Sequence, residues 1–158
     1  VPYGNSSVVP FEKRFYAGGA NSVRGWGVRT LGPGSFATRN SQNSFIYQCG
    51  DIRFDANLEF RSKLFWVLEG AAFVDAGNIW TIRNYADQPG GVFRFNKFYE
   101  QIALAYGLGL RMNFTYFLVR LDMGMKAHNP ASGQEHWPLF SPNFKRDSEF
   151  HFSVGYPF

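Results

Sequence analysis

The chain has 158 residues and a net charge of +4, and its aromatic residues (19%) slightly outnumber its charged residues (18%). No run approaches the roughly 20 consecutive apolar residues of a membrane-spanning helix, Cys49 is the single cysteine, and the basic residues are scattered along the chain. These features exclude a helical membrane protein and an internal disulfide, and they argue against binding to nucleic acid, which favours clustered positive charge.

The first part of the chain, residues 1–50, is rich in Gly, Ser, Asn and Pro as far as residue 44 and shows no sustained periodicity. Irregular segments of this length are uncommon in compact domains unless they are functional or disordered. We therefore predict a long loop ahead of the first regular strand.

From Asp51 onwards, apolar and polar residues alternate with a period of two, which predicts β-strands because successive side chains of a strand point to opposite faces. The first strand is predicted over residues 51–61, followed by a short turn at Ser62-Lys63 and a second strand over residues 64–79. The remaining elements are a long polar segment at about 81–97, a strand at 99–112, a tight turn at 113–115, a strand at 117–126, a long segment at about 127–147 and a strand at 149–158.

The connections alternate between long and short, as the extracellular loops and periplasmic turns of an outer-membrane barrel do. Aromatic residues also collect at the strand ends, where such barrels carry aromatic girdles. These residues are Phe65, Trp66, Phe114, Tyr116, Tyr156 and Phe158 at the edge with short turns, and Trp80 and Tyr99 at the opposite edge. The sequence therefore predicts an all-β, antiparallel transmembrane β-barrel.

A soluble β-sandwich or lipocalin-like barrel is the alternative, because its strands alternate in the same way. In that fold the large apolar face, with Ile102, Leu104 and Leu108, would fill a core, and the small Gly and Ala residues opposite would meet water. Glycine weakens a strand, whereas on a face turned towards a lumen it leaves room for an inserted loop. About five strands are too few to close an outer-membrane barrel, which needs at least about eight, so further strands are expected upstream.

Residues 15–26, with the sequence FYAGGANSVRGW, resemble the signature of the BamA/TamA family of bacterial outer-membrane protein assembly factors. Residues 57–60 and 73–80 resemble the strands that follow the signature in that family, and residues 150–158 resemble its last strand. Trp26 stands where Phe or Tyr is usual, which keeps a large aromatic side chain there.

The resemblance implies that the chain is the carboxy-terminal part of a barrel of about sixteen strands. Residues 1–50 would be the end of a strand and the sixth extracellular loop, which folds into the lumen, and residues 51–158 would be the last five strands. The resemblance also implies the bacterial outer membrane as the location, contact with its lipid, and further barrel strands and periplasmic domains upstream. It leaves open whether the protein is BamA-like or TamA-like.

The signature contains an arginine that needs acidic partners. The loop motif consists of Gly18, Gly19, Val23, Arg24, Gly25 and Trp26. The planar guanidinium of Arg24 can hold two carboxylate oxygens at once, and Glu59 and Asp75 lie on the polar faces of adjacent predicted strands. The resemblance also assigns contacts between Arg24 and these two acidic positions. In the alternative, Arg24 is an exposed loop cation and the acids merely line a wet lumen.

The resemblance implies insertion of other β-barrel proteins into the outer membrane. In the family, the first and last strands meet at a weak seam, where a strand of an unfolded substrate adds by β-augmentation. The seam strand and carboxy-terminal signal would comprise Phe150, Phe152, Val154, Gly155, Tyr156 and Phe158. Gly155 and Pro157 suit a weak seam, because glycine weakens pairing and proline lacks one donor. Open edges also lead us to expect edge-to-edge self-association of the fragment.

The sequence carries no pattern that indicates an enzyme, a metal site or a cofactor. His128, His136 and His151 lack metal-ligand spacing, and no nucleophile elbow or phosphate loop is present. Three other functions stay open: a two-partner secretion pore, the barrel anchor of a fused lipase-like enzyme, and a porin without a loop in its lumen.

Overall fold

Five antiparallel strands form one sheet, in which neighbours in sequence are neighbours in space. The computed structural model describes residues 9–36, 48–131, 137–138 and 144–155. The strands are β1 (Ile52–Phe65), β2 (Leu68–Trp80), β3 (Ala103–Asn113), β4 (Leu118–His128) and β5 (Ser148–Gly155), and short helical turns lie at Phe11–Lys13, Phe98–Gln101 and Phe144–Asp147. Within these ranges, no helix has the length and apolar character needed to cross a membrane. The prediction of an all-β chain with five antiparallel strands is confirmed.

The first hairpin turns at residues 66–67, so the predicted turn at Ser62-Lys63 is wrong. The ladder between β1 and β2 continues past those residues, because Lys63 pairs with Glu69 and Phe65 pairs with Leu68 after a register shift. Opposite charges stabilise a cross-strand pair. The Lys63–Glu69 pair therefore explains why polar residues extend the strand here instead of ending it.

Three other strand boundaries differ from the prediction. β3 begins at Ala103, because residues 98–101 form a 3-10 turn. β4 continues to His128, and its ladder with β3 shifts register next to Ala105. β5 begins at Ser148, while the predicted end of the last strand at residues 156–158 lies outside the described residues.

One face of the sheet, here termed the outer face, carries large apolar side chains that remain exposed. Cross-strand pairing sets one row across all the strands: Phe60, Ala72, Leu108, Met123 and Phe150. Phe60 is 73% exposed and Leu108 is 63% exposed, while Ile102 and Leu104 are partly exposed. The soluble alternative requires this face to fill a core, so the structure contradicts it. A broad exposed apolar face suits contact with lipid.

The opposite, inner face is covered by residues 17–31, here termed the arginine loop. Isolated bridges join Phe15 to Gly50 and Ala17 to Leu31, which fixes both ends of this loop. Loop and sheet together bury an apolar cluster of Ala17, Val23, Trp26, Leu31, Ile79, Ala103 and Ala105. The apolar core of the described chain therefore lies between the arginine loop and the inner face.

The aromatic residues at the strand ends occupy two different environments. The exposed ones, as a girdle requires, include Phe65, Trp66, Tyr99 and Tyr116. The girdle prediction for Trp80 is wrong, because Trp80 is only 1% exposed, meets the ring of Phe93 edge-on at 5.5 Å and donates a hydrogen bond from Nε1 to Gln101 Oε1 at 2.9 Å. The segment after β2 folds over this end of the strand. Tyr156 and Phe158 lie outside the described residues.

Candidate functional site

The arginine loop turns on two glycines with left-handed backbone conformation. Gly18 has a φ of +99° and Gly19 a φ of +95°, a region that residues with side chains rarely adopt. A Cβ atom on Gly18 would also collide with the carbonyl oxygen of Gly27. The N–H of Gly19 donates to the Trp26 carbonyl at 2.8 Å and closes the turn. The Gly-Gly pair thus folds the loop back on itself and presents Arg24 to the sheet.

Arg24 is held by two carboxylates from adjacent strands. Its Nε and Nη2 atoms donate to the two oxygens of Asp75 at 2.7 and 2.8 Å, and its Nη1 atom donates to Glu59 Oε2 at 2.5 Å. Arg24 is 3% exposed and Asp75 is fully buried. A guanidinium this deeply buried requires such partners, because an unpaired charge would lose its hydration without compensation. Arg24 is therefore not the exposed loop cation of the alternative interpretation.

Two further contacts fix the orientation of Arg24. Its guanidinium carbon lies 3.5 Å from the centroid of the Phe73 ring, so the cation rests on an aromatic face of β2. Its backbone N–H donates to Asp75 Oδ2 at 3.1 Å. Asp75 thus binds both the side chain and the backbone of Arg24.

Polar residues of β1 extend the attachment of the loop. Asn57 Nδ2 donates to the Ser22 carbonyl at 2.7 Å and to Asp75 Oδ1 at 2.9 Å. Ser22 Oγ donates to Asp55 Oδ1 at 2.7 Å. The residues just before Arg24 are therefore bound to the same strand that supplies Glu59.

Glu59 is shared by three arginines. Besides Arg24, it accepts hydrogen bonds from Arg111 Nη2 at 3.0 Å and from Arg61 Nε at 2.6 Å. Three donors around one carboxylate compensate for its removal from water. Glu59 therefore joins the loop to β3 as well as to β1.

Asp122 on β4 is a third acidic residue of the site. It accepts hydrogen bonds from Arg111 Nη1 and, at 2.8 Å, from Arg120 Nε, and its Oδ2 atom lies 4.0 Å from Arg24 Nη1. Arg120 also donates from Nη2 to the Ala20 carbonyl of the loop at 2.7 Å. The charged cluster thus reaches from β1 to β4.

Arg111, Arg120 and Asp122 lie in segments of alternating sequence, and nothing in that alternation connects them with Arg24. Arg111 and Arg120 lie directly opposite each other in the ladder of β3 and β4. Like charges in opposite positions are destabilising, so such a pair needs a neighbouring carboxylate, which Asp122 supplies. Two arginines that face each other across neighbouring strands therefore indicate a nearby carboxylate, which here is Asp122.

Small residues let the loop backbone lie directly on the sheet. A Cβ atom on Gly25 would lie 2.8 Å from the Cβ atom of Ala105, and one on Gly124 would collide with the Arg24 carbonyl. Trp26 packs in the apolar cluster next to Gly25, and Lys126 Nζ lies 5.4 Å from its ring centroid. These contacts explain the presence of small residues on the inner face of β3 and β4.

The Arg24-Gly25 dipeptide contacts every strand of the described sheet. Its neighbours are Glu59 on β1, Asp75 on β2, Ala105 on β3, Gly124 on β4 and His151 on β5, whose Nε2 atom lies 3.0 Å from the Arg24 carbonyl oxygen. This short segment of the loop therefore links all five strands of the described sheet from the inner face.

The predicted seam residues lie apart from the Arg24 cluster. Phe150, Phe152 and Val154 are exposed on the outer face of β5, and Gly155 meets no described heavy atom within 4 Å of an ideal Cβ position. Tyr156 and Phe158 fall outside the described residues. The loop motif and the apolar seam residues Phe150, Phe152 and Val154 thus lie on opposite faces of the sheet, while Gly155 shares the inner face of β5 with His151.

The chemistry of this site is attachment. Each of the three carboxylates (Glu59, Asp75 and Asp122) accepts hydrogen bonds from arginine, so each is engaged in joining charged side chains of the loop and the strands. Over the described part of the chain, no group of three or more His, Cys, Asp or Glu residues is arranged to hold a metal ion. The arrangement is suited to holding a loop at a defined position on a barrel wall.

Comparison with known proteins agrees with the geometry. The model of a family described as the Omp85 superfamily domain matches residues 1–158. The chain is also 31% identical over 94 residues to the outer membrane protein assembly factor BamA of Neisseria meningitidis serogroup B (strain ATCC BAA-335 / MC58). The aligned region covers 54% of this chain and 11% of that protein.

Proposed function

Since the chain belongs to the Omp85 superfamily, we propose that it is the carboxy-terminal barrel portion of an insertase that assembles β-barrel proteins into the bacterial outer membrane. Assembly of outer-membrane proteins is the function named for its BamA relative. The proposed substrates are unfolded outer-membrane proteins. The proposed activity requires neither a cofactor nor covalent chemistry, because strand addition forms only hydrogen bonds and apolar contacts.

The observation that supports this function best is the arginine loop, which is held firmly against the inner face of the sheet and contacts the last described strand. β5 ends the described sheet and pairs there with β4. An edge strand presents backbone N–H and C=O groups to an incoming strand. In lipid these groups must be paired, since each unpaired group costs several kcal/mol.

The outer side chains of β5 suit an edge that works inside a membrane. Phe150, Phe152 and Val154 are all exposed and apolar. A substrate strand that adds beside β5 would continue the same apolar surface into the lipid while its backbone pairs with the edge. We propose that the remaining barrel strands and the periplasmic domains of the full protein close this edge when no substrate is present.

A disulfide across the seam tests the proposal. The experiment uses the full-length protein with Cys49→Ser, so that Ser153→Cys on β5 can pair with one cysteine introduced into the first strand of the barrel. Locking the seam should stop assembly of substrate barrels, and reduction of the disulfide should restore it. The protein with Ser153→Cys alone is the control. Normal assembly with the seam locked would refute the proposal.

The covered inner face separates this proposal from the porin alternative. A porin keeps an open, water-filled lumen, whereas the arginine loop is bound along the inner face by the Arg24 contacts. The secretion-pore and enzyme-anchor alternatives predict that a locked seam leaves their activities intact. The disulfide experiment therefore distinguishes them from an insertase.

A further inference from the structure

We infer that His151 is a positioning residue that fastens the seam strand to the arginine loop, an inference that rests on the proposed function of β5. His151 Nε2 lies 3.0 Å from the carbonyl oxygen of Arg24. A carbonyl oxygen can only accept, so the imidazole donates through its Nε2 proton. The bond therefore requires a ring that is protonated at Nε2.

The acceptor of this bond is the most firmly held residue of the loop. The Arg24 side chain is bound to Asp75 by two hydrogen bonds and to Glu59 by one. Gly124 leaves the space that the Arg24 carbonyl occupies against β4, where a Cβ atom would collide with it. His151 thus attaches β5 to a point that does not move independently of the sheet.

The attachment of His151 to the loop matters because β5 is the last strand of the described sheet. β5 has eight residues and pairs with β4 within the described sheet. Its outer side chains face away from the loop, while His151 points to the inner face opposite Asp122. The hydrogen bond to Arg24 is therefore a second link between β5 and the rest of the molecule, independent of the ladder.

The same loop residue also binds the opposite edge of the sheet. Arg24 contacts Glu59 on β1 through its side chain and His151 on β5 through its carbonyl. Arg24 consequently links the first and last strands of the described sheet. Release of His151 removes this link from β5, so that its edge is held less firmly for strand addition.

Hydrogen exchange on the full-length protein in lipid nanodiscs tests this role. In the His151→Ala variant, β5 amides that pair with β4 should exchange about fivefold faster, the effect of one lost hydrogen bond on local opening. His151→Gln, which keeps an N–H donor, should restore most of the protection. His128→Ala is the matched control, because His128 Nδ1 bonds to the Ile102 carbonyl at 2.7 Å instead of to the loop. It should leave β5 exchange unchanged.

A parallel assay of substrate insertion separates this role from the function itself. Insertion should fall several-fold in His151→Ala and recover in His151→Gln. Unchanged β5 exchange in His151→Ala overturns the inference, whatever the insertion rate. Faster exchange with normal insertion overturns the positioning role, and the proposed function still stands if the seam disulfide stops assembly. Assembly through a locked seam instead overturns the proposed function. The exchange rates of the β5 amides in the His151 variants then still show whether His151 fastens β5 to the loop.

Discussion

Asp75 receives Arg24 through both carboxylate oxygens, at 2.7 and 2.8 Å, in a position where the carboxylate has no exposed surface. Arg24 in the loop and Asp75 on β2 are separated by 51 residues in sequence. This ion pair therefore joins distant parts of the chain and fixes the loop to the wall of the sheet.

Replacing Asp75 with Asn removes one of the two carboxylates that hold Arg24. The free energy of unfolding should fall by about 3 kcal/mol, because the buried guanidinium loses a bidentate partner and keeps only Glu59 as a directly bonded carboxylate. Urea unfolding of the full-length protein in detergent micelles measures the change. Asp87→Asn is the control, since Asp87 is an exposed acidic residue outside the strands and should cost about 0.5 kcal/mol or less. Equal effects at the two positions would contradict the assignment of Asp75.

Replacing Arg24 with Lys keeps the charge but loses the planar fork. Lys cannot repeat the two parallel hydrogen bonds to Asp75, so the loop should be held more weakly by about 1–3 kcal/mol. Cleavage of the arginine loop by proteinase K should be slowest in the wild type, faster in Arg24→Lys and fastest in Arg24→Ala. Wild-type resistance in Arg24→Lys would show that charge alone holds the loop.

Gly124 and Gly155 provide a matched pair for the close approach of the loop. A methyl group at Gly124 would meet the Arg24 carbonyl, whereas an ideal Cβ at Gly155 has no described atom within 4 Å. Gly124→Ala should therefore destabilise by about 1–3 kcal/mol and Gly155→Ala by about 0.5 kcal/mol or less. Urea unfolding again measures both. A reversed order would show that the loop does not lie against β4.

Asp122 accepts hydrogen bonds from both facing arginines of β3 and β4, Arg111 and Arg120. A double-mutant cycle with Arg111→Gln and Asp122→Asn should give a coupling free energy of about 1–3 kcal/mol, as expected for residues in one charged network. Each single substitution removes one partner of a buried charge, which keeps Arg120 or Glu59 as its other partner, so the double variant should lose less stability than the sum of the two. If the two losses of stability simply add, Arg111 and Asp122 are not energetically coupled, which would contradict their place in one charged network.

The alternation of the sequence predicted which side chains share a face, because a barrel wall has lipid on one side and polar contacts on the other. It did not locate the first turn, since Lys63 looks like a turn residue until its pairing with Glu69 is known. Trp80 shows the same limit. From the sequence alone, an aromatic residue at a strand end that is buried under a loop cannot be distinguished from one that is exposed in a girdle. The contacts of Arg111 and Asp122 depend on the register between strands, which alternation alone leaves undetermined.

Ser22 and Asp55 permit the most direct test of the loop position on the inner face, since Ser22 Oγ donates a hydrogen bond to Asp55 Oδ1 at 2.7 Å. In full-length protein with Cys49→Ser, the pair Ser22→Cys and Asp55→Cys should form a disulfide on export to the oxidising periplasm and outer membrane. The control pair Ser22→Cys and Phe54→Cys should remain reduced, because Phe54 precedes Asp55 on β1 and is exposed on the outer face. A disulfide to position 54 with none to position 55 would contradict the account.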